Sequence, residues 1–548
     1  MERALAAYTD GHIDRYFEAV KKEGLSEHGF PRLTANIGIL IANGRRLDLL
    51  PRFIEMMEFC CRTIPKVKAA NDFSVREIVA CITAIEERGV IPTADTERWK
   101  DYLRGIKPEE CYNVFATSPT DKLKNWALFT ALSEFFRMKC GLGGSAEFID
   151  TQLATQLQWL DENGMYMDGK GDTHHPIMYD LVPRGLFAIL LDAGYNGKYY
   201  KEIDDGIKKA ALMTLSMQSP NGEMAFGGRS NQFLHNEPWM ICVYEYEAKR
   251  YKREGNDSLA REFRAAARRA LKVTEEWLSL DPILHIKNRY PTKTRHGCEE
   301  YAYFDKYMIT AASNLYAAYL VADDTIPAED IPDTKPSVFA TSYHFGKLFC
   351  KAGGYGIELD LNGDQHYDAS GLGRVHRVGA PSVICMSCPC PGEPVIHLEI
   401  DTPMALSLCP GVLSDGVWRF GASDAEYTLL NSKAEKNSAT VTVATDISGK
   451  RVVADYTVTG EGVKILASGE GKIGFMLPAF SFDGAENAEI TLKERCLEIA
   501  YKGWICRYTS SGDISDLGFD AANRNGIYRA YYSYVSDALE INIEIVKE

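Results

Sequence analysis

The distribution of apolar residues divides the chain in two. From the N-terminus to about Asp324 they recur at helical spacing, with little β-branched alternation. The spacing predicts helices over 11–23, 32–43, 46–64, 73–89, 95–105, 121–139, 145–161, 176–194, 198–217, 238–254, 256–280 and 299–323, about twelve in all, or six helical hairpins. Three hairpins share a grammar that reads as a weak internal repeat: a polar loop rich in Gly, Asn, Asp and His, an apolar helix, a short turn and a more amphipathic return helix. They begin DENGMYMDGKGDTHHPIMYDLVPRGLFAILL at Asp161, SPNGEMAFGGRSNQFLHNEPWMICVYEYEA at Ser219 and KNRYPTKTRHGCEEYAYFDKYMITAASNLYAAY at Lys287. Each places its polar residues at the same end of a hairpin. A closed ring of six hairpins gathers such loops around one mouth, whereas an open solenoid leaves them apart.

Around Asp323 the pattern changes. The segment DDTIPAEDIPDTKPS has prolines at 327, 332 and 336 with acidic residues between them, and it cannot continue a helix. Short alternating runs follow, separated by Gly and Asn/Asp turns: PVIHLEI, ATVTVATDISGKRVVADYTVTG, VKILASGEGKIGFML, AEITLKERCLEIAYKGWICRYT and ALEINIEIVKE. These read as antiparallel strands of a sandwich. The expected class is α+β and multidomain, with an N-terminal (α/α) toroid over 1–324, a linker over 325–337 and a C-terminal antiparallel β-sandwich over 338–548, which caps one edge of the ring.

Composition narrows the function classes. At 548 residues, 45% hydrophobic and 25% charged, the chain has globular proportions. A formal net charge of -15 without a block of Lys and Arg argues against nucleic acid, so an anionic substrate must be met by a local cationic pocket. No segment has the length of apolar run that spans a bilayer, and MERALAAYTDGHIDRYF has no signal-peptide core. The expected location is cytoplasmic, or periplasmic or secreted if a leader has been removed. Most of the 14 cysteines sit singly in apolar runs (Cys60, Cys61, Cys81, Cys242), as reduced thiols do, and Cys388-Pro-Cys390 lacks a second pair at zinc spacing.

Four stretches carry candidate chemistry. The first is NGEMAFGGRSNQFLHNE, Asn221 to Glu237, where Arg229, Asn231 and His235 can bind and polarise an anion before Pro238 opens an apolar helix. Asp172 to Tyr179 is the second, with His175 left in the loop by Pro176 and Tyr179 one turn into the helix, a plausible proton-transfer pair. The third, Tyr290 to Asp305, holds Arg295, His296, Glu299, Tyr301 and Tyr303, among which the phenols cannot be ranked. The fourth is LNGDQHYDASGLGRVHRVGAPSVICMS, whose His366, Asp368, Arg374, His376 and Arg377 crowd a glycine-rich loop expected to lean on the helical mouth. One His and one Asp are too few ligands for a catalytic metal.

The succession of helical toroid, linker and antiparallel sandwich resembles the heparinase II/III-like polysaccharide lyases and the related exolytic alginate lyases. The likeness covers nearly the whole chain in architecture, and motifs match locally: Met167 to Tyr179, MDGKGDTHHPIMY, is similar to the family's loop before a helix that opens on His or Tyr, and Asn221-Gly222 fits the next. The family's sandwich starts with H-x-H-x-D, in which one His approaches the site and others hold a structural zinc. Here Asp364-Gln-His366-Tyr-Asp368 lacks the first His. The family's tyrosine in the loop equivalent to 221–237 is absent too, so a tyrosine base must be Tyr179 or come from the 290–303 loop.

The resemblance implies β-elimination at a uronic acid. Asn231 or Arg229 neutralises the C5 carboxylate, a Tyr or His (His175, Tyr179, His235, His296, Tyr301) removes the C5 proton, and a second protonates the leaving oxygen. Arg229, Arg295, Tyr303, Glu237, His376 and Arg377 are the expected substrate-binding residues. The expected partner is a uronate-containing oligo- or polysaccharide, for instance with a terminal rhamnosyl-glucuronate linkage, with no nucleic acid and no membrane; a homo-oligomer is left open. No cofactor is expected, with a structural zinc or calcium left open. Two rivals remain: a glycoside hydrolase on a similar toroid using two of Asp172, Glu237, Glu299 and Asp305, and a non-catalytic carbohydrate-binding protein.

Overall fold

A helix that is apolar all round is stable only where neighbours cover every side. GFPRLTANIGILIA and IMYDLVPRGLFAILLD are largely of that kind; NEPWMICVYEYEAKRYKR carries charges as well yet is buried along most of its length, and each becomes an inner wall of a ring. The computed structural model describes residues 1–169, 171–329, 331 and 333–548. Lys170 of the 167–179 loop and Asp330 and Pro332 of the expected linker lie outside the described residues.

The helices in chain order are α1 (Glu2–Leu5), α2 (Asp10–Glu23), α3 (Gly29–Ala42), α4 (Leu50–Thr63) and α5 (Val75–Arg88). Then come α6 (Thr93–Arg104), α7 (Pro108–Cys111), α8 (Trp126–Lys139), α9 (Ala146–Leu157) and α10 (Ile177–Asp192). The last are α11 (Tyr200–Met217), α12 (Asn236–Arg253), α13 (Asp257–Leu278) and α14 (Phe304–Val321). Helix α3 packs on α5, α5 on α8, α8 on α10, α10 on α12, α12 on α14, and α14 back on α3, so six inner helices close a ring. Outer helices pack behind them, α4 on α3, α9 on α8, α11 on α10 and α13 on α12. This is the (α/α) toroid anticipated from periodicity.

Ends are set by local chemistry. The Thr9, Ser145 and Asn256 side chains accept the backbone N–H three residues on, capping α2, α9 and α13. The helix expected from residue 46 starts as a 3-10 turn, Leu47–Leu49, and becomes α only at Leu50, where Pro51 falls in the first turn, which tolerates its missing N–H. The one expected from 299 starts at Phe304, because Gly297 to Tyr303 forms a loop.

Beyond Val321 the regular structure is antiparallel β. Strands β1 (Ser337–Ala340), β2 (Lys347–Ala352), β3 (Tyr355–Asp360) and β4 (Gly371–Arg377) form a four-stranded sheet in that order, followed by sheets of eight and five strands. Strands β2, β3 and β4 are buried on both faces, and alternation assigns each face a role. Leu348, Cys350, Ile357, Leu359 and Val375 join the sandwich core. Lys347, Lys351, Glu358, Asp360, Arg374 and His376 point the other way, with Lys347 across from Asp360 and Glu358 across from Arg374 in the register. This charged face meets the helical ring: Lys347 Nζ lies 3.5 Å from the Phe226 ring centroid, and Arg374 Nη1 donates to Met224 O at 2.7 Å. The expected strand PVIHLEI does not form. His397 exchanges backbone hydrogen bonds with Gly297 and Cys298, so this segment crosses to the helices instead of pairing in a sheet.

Ring closure demands close helix approach. A Cβ on Gly185 of α10 would lie 2.4 Å from Trp239 Cε3 of α12, a ring that is itself buried. Gly185→Ala gains about 1 kcal/mol of helix propensity, but the overpacking it forces is worth roughly 1–3 kcal/mol. We expect a net loss of stability, read as a lower urea midpoint with unchanged slope.

Candidate functional site

The N-termini of the inner helices share one end of the ring, and their leading loops bring polar groups together there. The loop before α12 is the centre. Gly227 and Gly228 have φ of 137° and 72°, and Ser230 and Gln232 sit in the left-handed region at 57° and 63°, a conformation that side chains other than Gly adopt only when surroundings hold it. Those holds are visible. Gly228 N–H donates to Asp368 Oδ2 at 2.8 Å, Ser230 N–H to Glu299 Oε1 at 2.5 Å, and Asn236 Nδ2 to Ser230 O at 3.1 Å. Arg524 from the sandwich donates to the same Glu299 oxygen at 2.7 Å.

The result is a hydroxyl hub. Ser230 Oγ lies 2.7 Å from the Tyr307 hydroxyl, 3.1 Å from that of Tyr179 and 3.3 Å from that of Tyr301. A serine hydroxyl has one proton to give and two lone pairs, so three phenols saturate it and at least one of them accepts. Tyr301 is 41% exposed at its cleft side, while burial, Tyr179 and Glu299 raise its pKa and keep it protonated. Arg229 lies over the Tyr179 ring, 4.5 Å from its centroid, and pairs with Asp168. Burial opposes its charge, but Tyr179, Asp168 and Tyr301 outweigh that and raise its pKa. Asp168 also accepts Asn125 Nδ2 at 3.0 Å, which brings half-buried Trp126 and its edge-on neighbour Phe73 to the same mouth.

His175 is held by its Nδ1, which donates to Asp168 O at 3.1 Å and leaves the Nε2 lone pair free of partners among the described residues. Burial lowers its pKa, so the ring is a neutral acceptor. His235 lies deeper, stacked on Phe233 and edge-on to Tyr307, with its pKa pushed down to about 3 by burial and by Arg32, His285 and Lys287. Asn231 spends its amide within the loop, Nδ2 on Ala225 O and Oδ1 on Gln232 Nε2.

Other expected site residues are engaged elsewhere. His296 is 1% exposed and stacked on Tyr290 at 3.7 Å. Glu399 N–H donates to its Nδ1, so its proton is on Nε2 and goes to Asn523 O at 2.9 Å. Arg295 stacks on Tyr303 and donates to the Glu299 and Glu300 carbonyls, shaping the loop that carries Tyr301. Tyr303 itself is 47% exposed at the start of α14. Glu237 is fully buried in an ion pair with Lys287 at 2.8 Å. His376 is buried beside Arg374 and Glu223 on the charged sheet face, and Arg377 stacks on Tyr355 and Trp504 in the sandwich.

The Asp364–Asp368 stretch does not fit a metal: His366 Nδ1 meets Glu393 O, while Asp368 is occupied by the Gly228 and Asp364 N–H groups. Among the described residues no group of three or more His, Cys, Asp or Glu is arranged to hold one. No described helix is long and apolar enough to cross a membrane. Sequence reasoning missed Ser230, Tyr307, Asn125, Asp168, Tyr367 and Arg524. Arg524, which faces the Tyr367 and Phe233 rings, lies 225 residues from Glu299, and no local pattern marks it.

No family model matches the chain, and no curated protein matches it. Solved structures do. A chondroitin AC lyase from Streptomyces coelicolor A3, in complex with chondroitin sulphate, is 11% identical over 99% of this chain and 82% of its own, with a TM-score of 0.46. A heparinase III is 10% identical over 91% and 77%, with a TM-score of 0.35. Endoglucanase CelQ from Clostridium thermocellum, complexed with cellotriose, is 10% identical over 95% and 84%, with a TM-score of 0.30. The likeness is one of fold, a helical domain with antiparallel β-sheets.

Burial keeps His235 and His376 near pKa 3 and His285 and His296 near 4, against 6.5 in an unfolded chain. Depressed pKa values give stability that is complete above pH 6.5 and lost as pH falls toward 4, at about 1.4 kcal/mol per pH unit for each ring. His296→Gln removes one of these protons. We expect its unfolding free energy to fall less steeply between pH 6.5 and 4 than that of the native chain, and an unchanged slope would show His296 to be charged when folded.

Proposed function

We propose that the mouth of the ring binds an acidic sugar chain and cleaves it by β-elimination at a uronic acid. The observation that carries this reading is the Tyr179–Ser230–Tyr301 hydroxyl chain lying beside a guanidinium. Elimination needs one group to take the proton α to a carboxylate, another to protonate the leaving oxygen, and a cation to stabilise the charge that develops on the carboxylate. Arg229 meets the carboxylate, Tyr179 under it takes the C5 proton, and Tyr301, kept protonated by its surroundings, donates to O4. The C5–H and C4–O4 bonds break and a C4–C5 double bond forms; as Tyr179 takes the C5 proton its own hydroxyl proton passes to Ser230, and the Ser230 proton passes to Tyr301, so each hydroxyl ends as it began. His175 Nε2, a neutral acceptor at the rim, binds a sugar hydroxyl. Asn231 acts from behind, fixing the loop's shape.

The disposition of carboxylates also supports this reading over hydrolysis. Hydrolysis needs two carboxyl groups free to flank one glycosidic oxygen. Of the four weighed for that role, Glu237 is paired with Lys287 and Glu299 with Arg524, and Asp305 is hydrogen-bonded to His12. That leaves Asp172 alone.

The test is a panel of uronate-containing oligo- and polysaccharides, chondroitin sulphate among them, followed for the ultraviolet absorbance of an unsaturated uronate. Tyr179→Phe and Tyr301→Phe should each lower turnover by about 10²–10⁴-fold, with Arg229→Ala lowering kcat/KM comparably and Ser230→Ala less. New reducing ends without that absorbance would assign hydrolysis instead, and absorbance undiminished in both Phe variants would remove the phenols from the reaction.

A further inference from the structure

At the end of the ring opposite the phenols lies a cavity of about 300 Å³ that the proposed reaction does not use. Its walls come from the C-terminal halves of inner helices: Ile39 of α3, Phe136 of α8, Ile189 of α10, and Ala317 and Val321 of α14. Tyr179 and Asp192 at the cavity rim are thirteen residues apart along α10, about 20 Å along the axis at 1.5 Å per residue, while the floor reaches inward to Arg76 and Glu77 in the first turn of α5; none of the phenols around Ser230 lines it. The volume is that of about ten water molecules at their liquid packing of roughly 30 Å³, inside walls that are mostly apolar. Leu320, 53% exposed, marks the opening.

The floor is charged and unbalanced. Arg76, 8% exposed, lines the cavity and gives one hydrogen bond from its guanidinium, Nη2 to Glu77 Oε1 at 3.1 Å. Its Nε has no partner but is closed off from the chamber, so a ligand there meets the guanidinium only at its Nη end. Glu77 cannot satisfy it further. The same Oε1 takes Arg32 Nε at 2.9 Å, while Oε2 takes Ser313 Oγ at 2.7 Å and Asn36 Nδ2 at 3.1 Å. Two guanidinium groups thus share one carboxylate. At the rim Lys139 gives its Nζ to the Ala193 carbonyl, and Asp192 is already matched by Lys249 at 2.7 Å. The lining holds two cations, Arg76 and Lys139, and two carboxylates, Glu77 and Asp192, but both carboxylates are also claimed by cations behind the wall, Arg32 and Lys249, so the local balance is cationic in a chain whose overall charge is -15. A buried cation with unmet donors destabilises the protein unless an anion completes it.

We infer that this axial cavity is a binding site for a small monocarboxylate with a hydrocarbon body, its carboxylate on Arg76 and its body against Ile39, Phe136, Ile189 and Ala317. The site is separate from the sugar cleft and does not depend on the reaction proposed there. Neutral isosteres lack the group that Arg76 needs, and small inorganic anions leave the apolar walls wet, so both bind more weakly.

Benzoate and hexanoate are the probes, titrated calorimetrically into the full chain beside benzyl alcohol, hexanol and chloride. We expect both carboxylates to bind and the alcohols and chloride to bind at least tenfold more weakly. A charge-assisted hydrogen bond is worth roughly tenfold or more in affinity, so Arg76→Gln should weaken benzoate by at least that factor. This variant leaves Glu77 paired with Arg32, Asn36 and Ser313, and its fold is checked by a cooperative melt. Ala80→Leu fills the chamber from α5, where Ala80 lines it, without touching a charge, and should abolish binding. The inference is overturned if neither carboxylate binds the native chain at concentrations up to about 10 mM, which a Kd near 1 mM would reveal. Benzoate affinity unchanged in both variants, or equal binding of the alcohols or of chloride, overturns it as well.

Discussion

The Glu299 carboxylate is the joint on which the site depends. One of its oxygens accepts both the Ser230 N–H, from the loop before α12, and the Arg524 guanidinium, from the sandwich, while its own loop carries Tyr301. Without that acceptor the left-handed Ser230 would lose the bond that offsets its backbone conformation, Arg524 would be a buried cation without its counter-ion, and the phenols would lose their common partner. A single ion pair therefore couples backbone geometry, domain contact and the position of reacting groups.

The charged face of the first sheet does similar work across a wider area. Lys347 beneath Phe226, Arg374 on the Met224 carbonyl and Asp368 on the Gly228 N–H grip the 224–228 segment from the sandwich side. Glu358 is 2% exposed in this interface, and that burial pushes its carboxyl up to about 7 despite Arg374 and Lys347 beside it. Polar interfaces of this kind hold register at the cost of desolvation. They explain why a loop with two adjacent glycines and two left-handed residues keeps one shape.

The ring itself supplies two ends of different character. At the N-terminal ends, loops of unequal length bring hydroxyl, imidazole and guanidinium groups to a wet cleft. From the C-terminal ends a chamber runs in between the inner helices to Arg76 and Glu77 in the first turn of α5. Buried charges on the inner helices are matched either within one helix, as Asp180 with Arg184 and Glu134 with Arg137, or across the ring, as Arg32 with Glu77.

Helix positions, the break near Asp324 and the strand-rich remainder were legible from periodicity, because burial of one face imposes a repeat that any register shares. The loop 221–237 stood out by its density of polar groups, and Tyr179, Arg229 and Tyr301 do meet beside its Ser230. What periodicity could not reveal is which polar residues face the cleft and which are spent in the interior. His296 and Glu237 look as reactive in sequence as His175, yet one is locked between Glu399 and Asn523 and the other is matched by Lys287. Ser230 and Arg524 become prominent only when loops far apart in the chain converge. The amino-acid order by itself determined the ring and the sandwich; the pairing of charges across them, which sets the protonation and exposure of each side chain, was decided by tertiary structure alone, because desolvation and hydrogen bonding depend on neighbours in space.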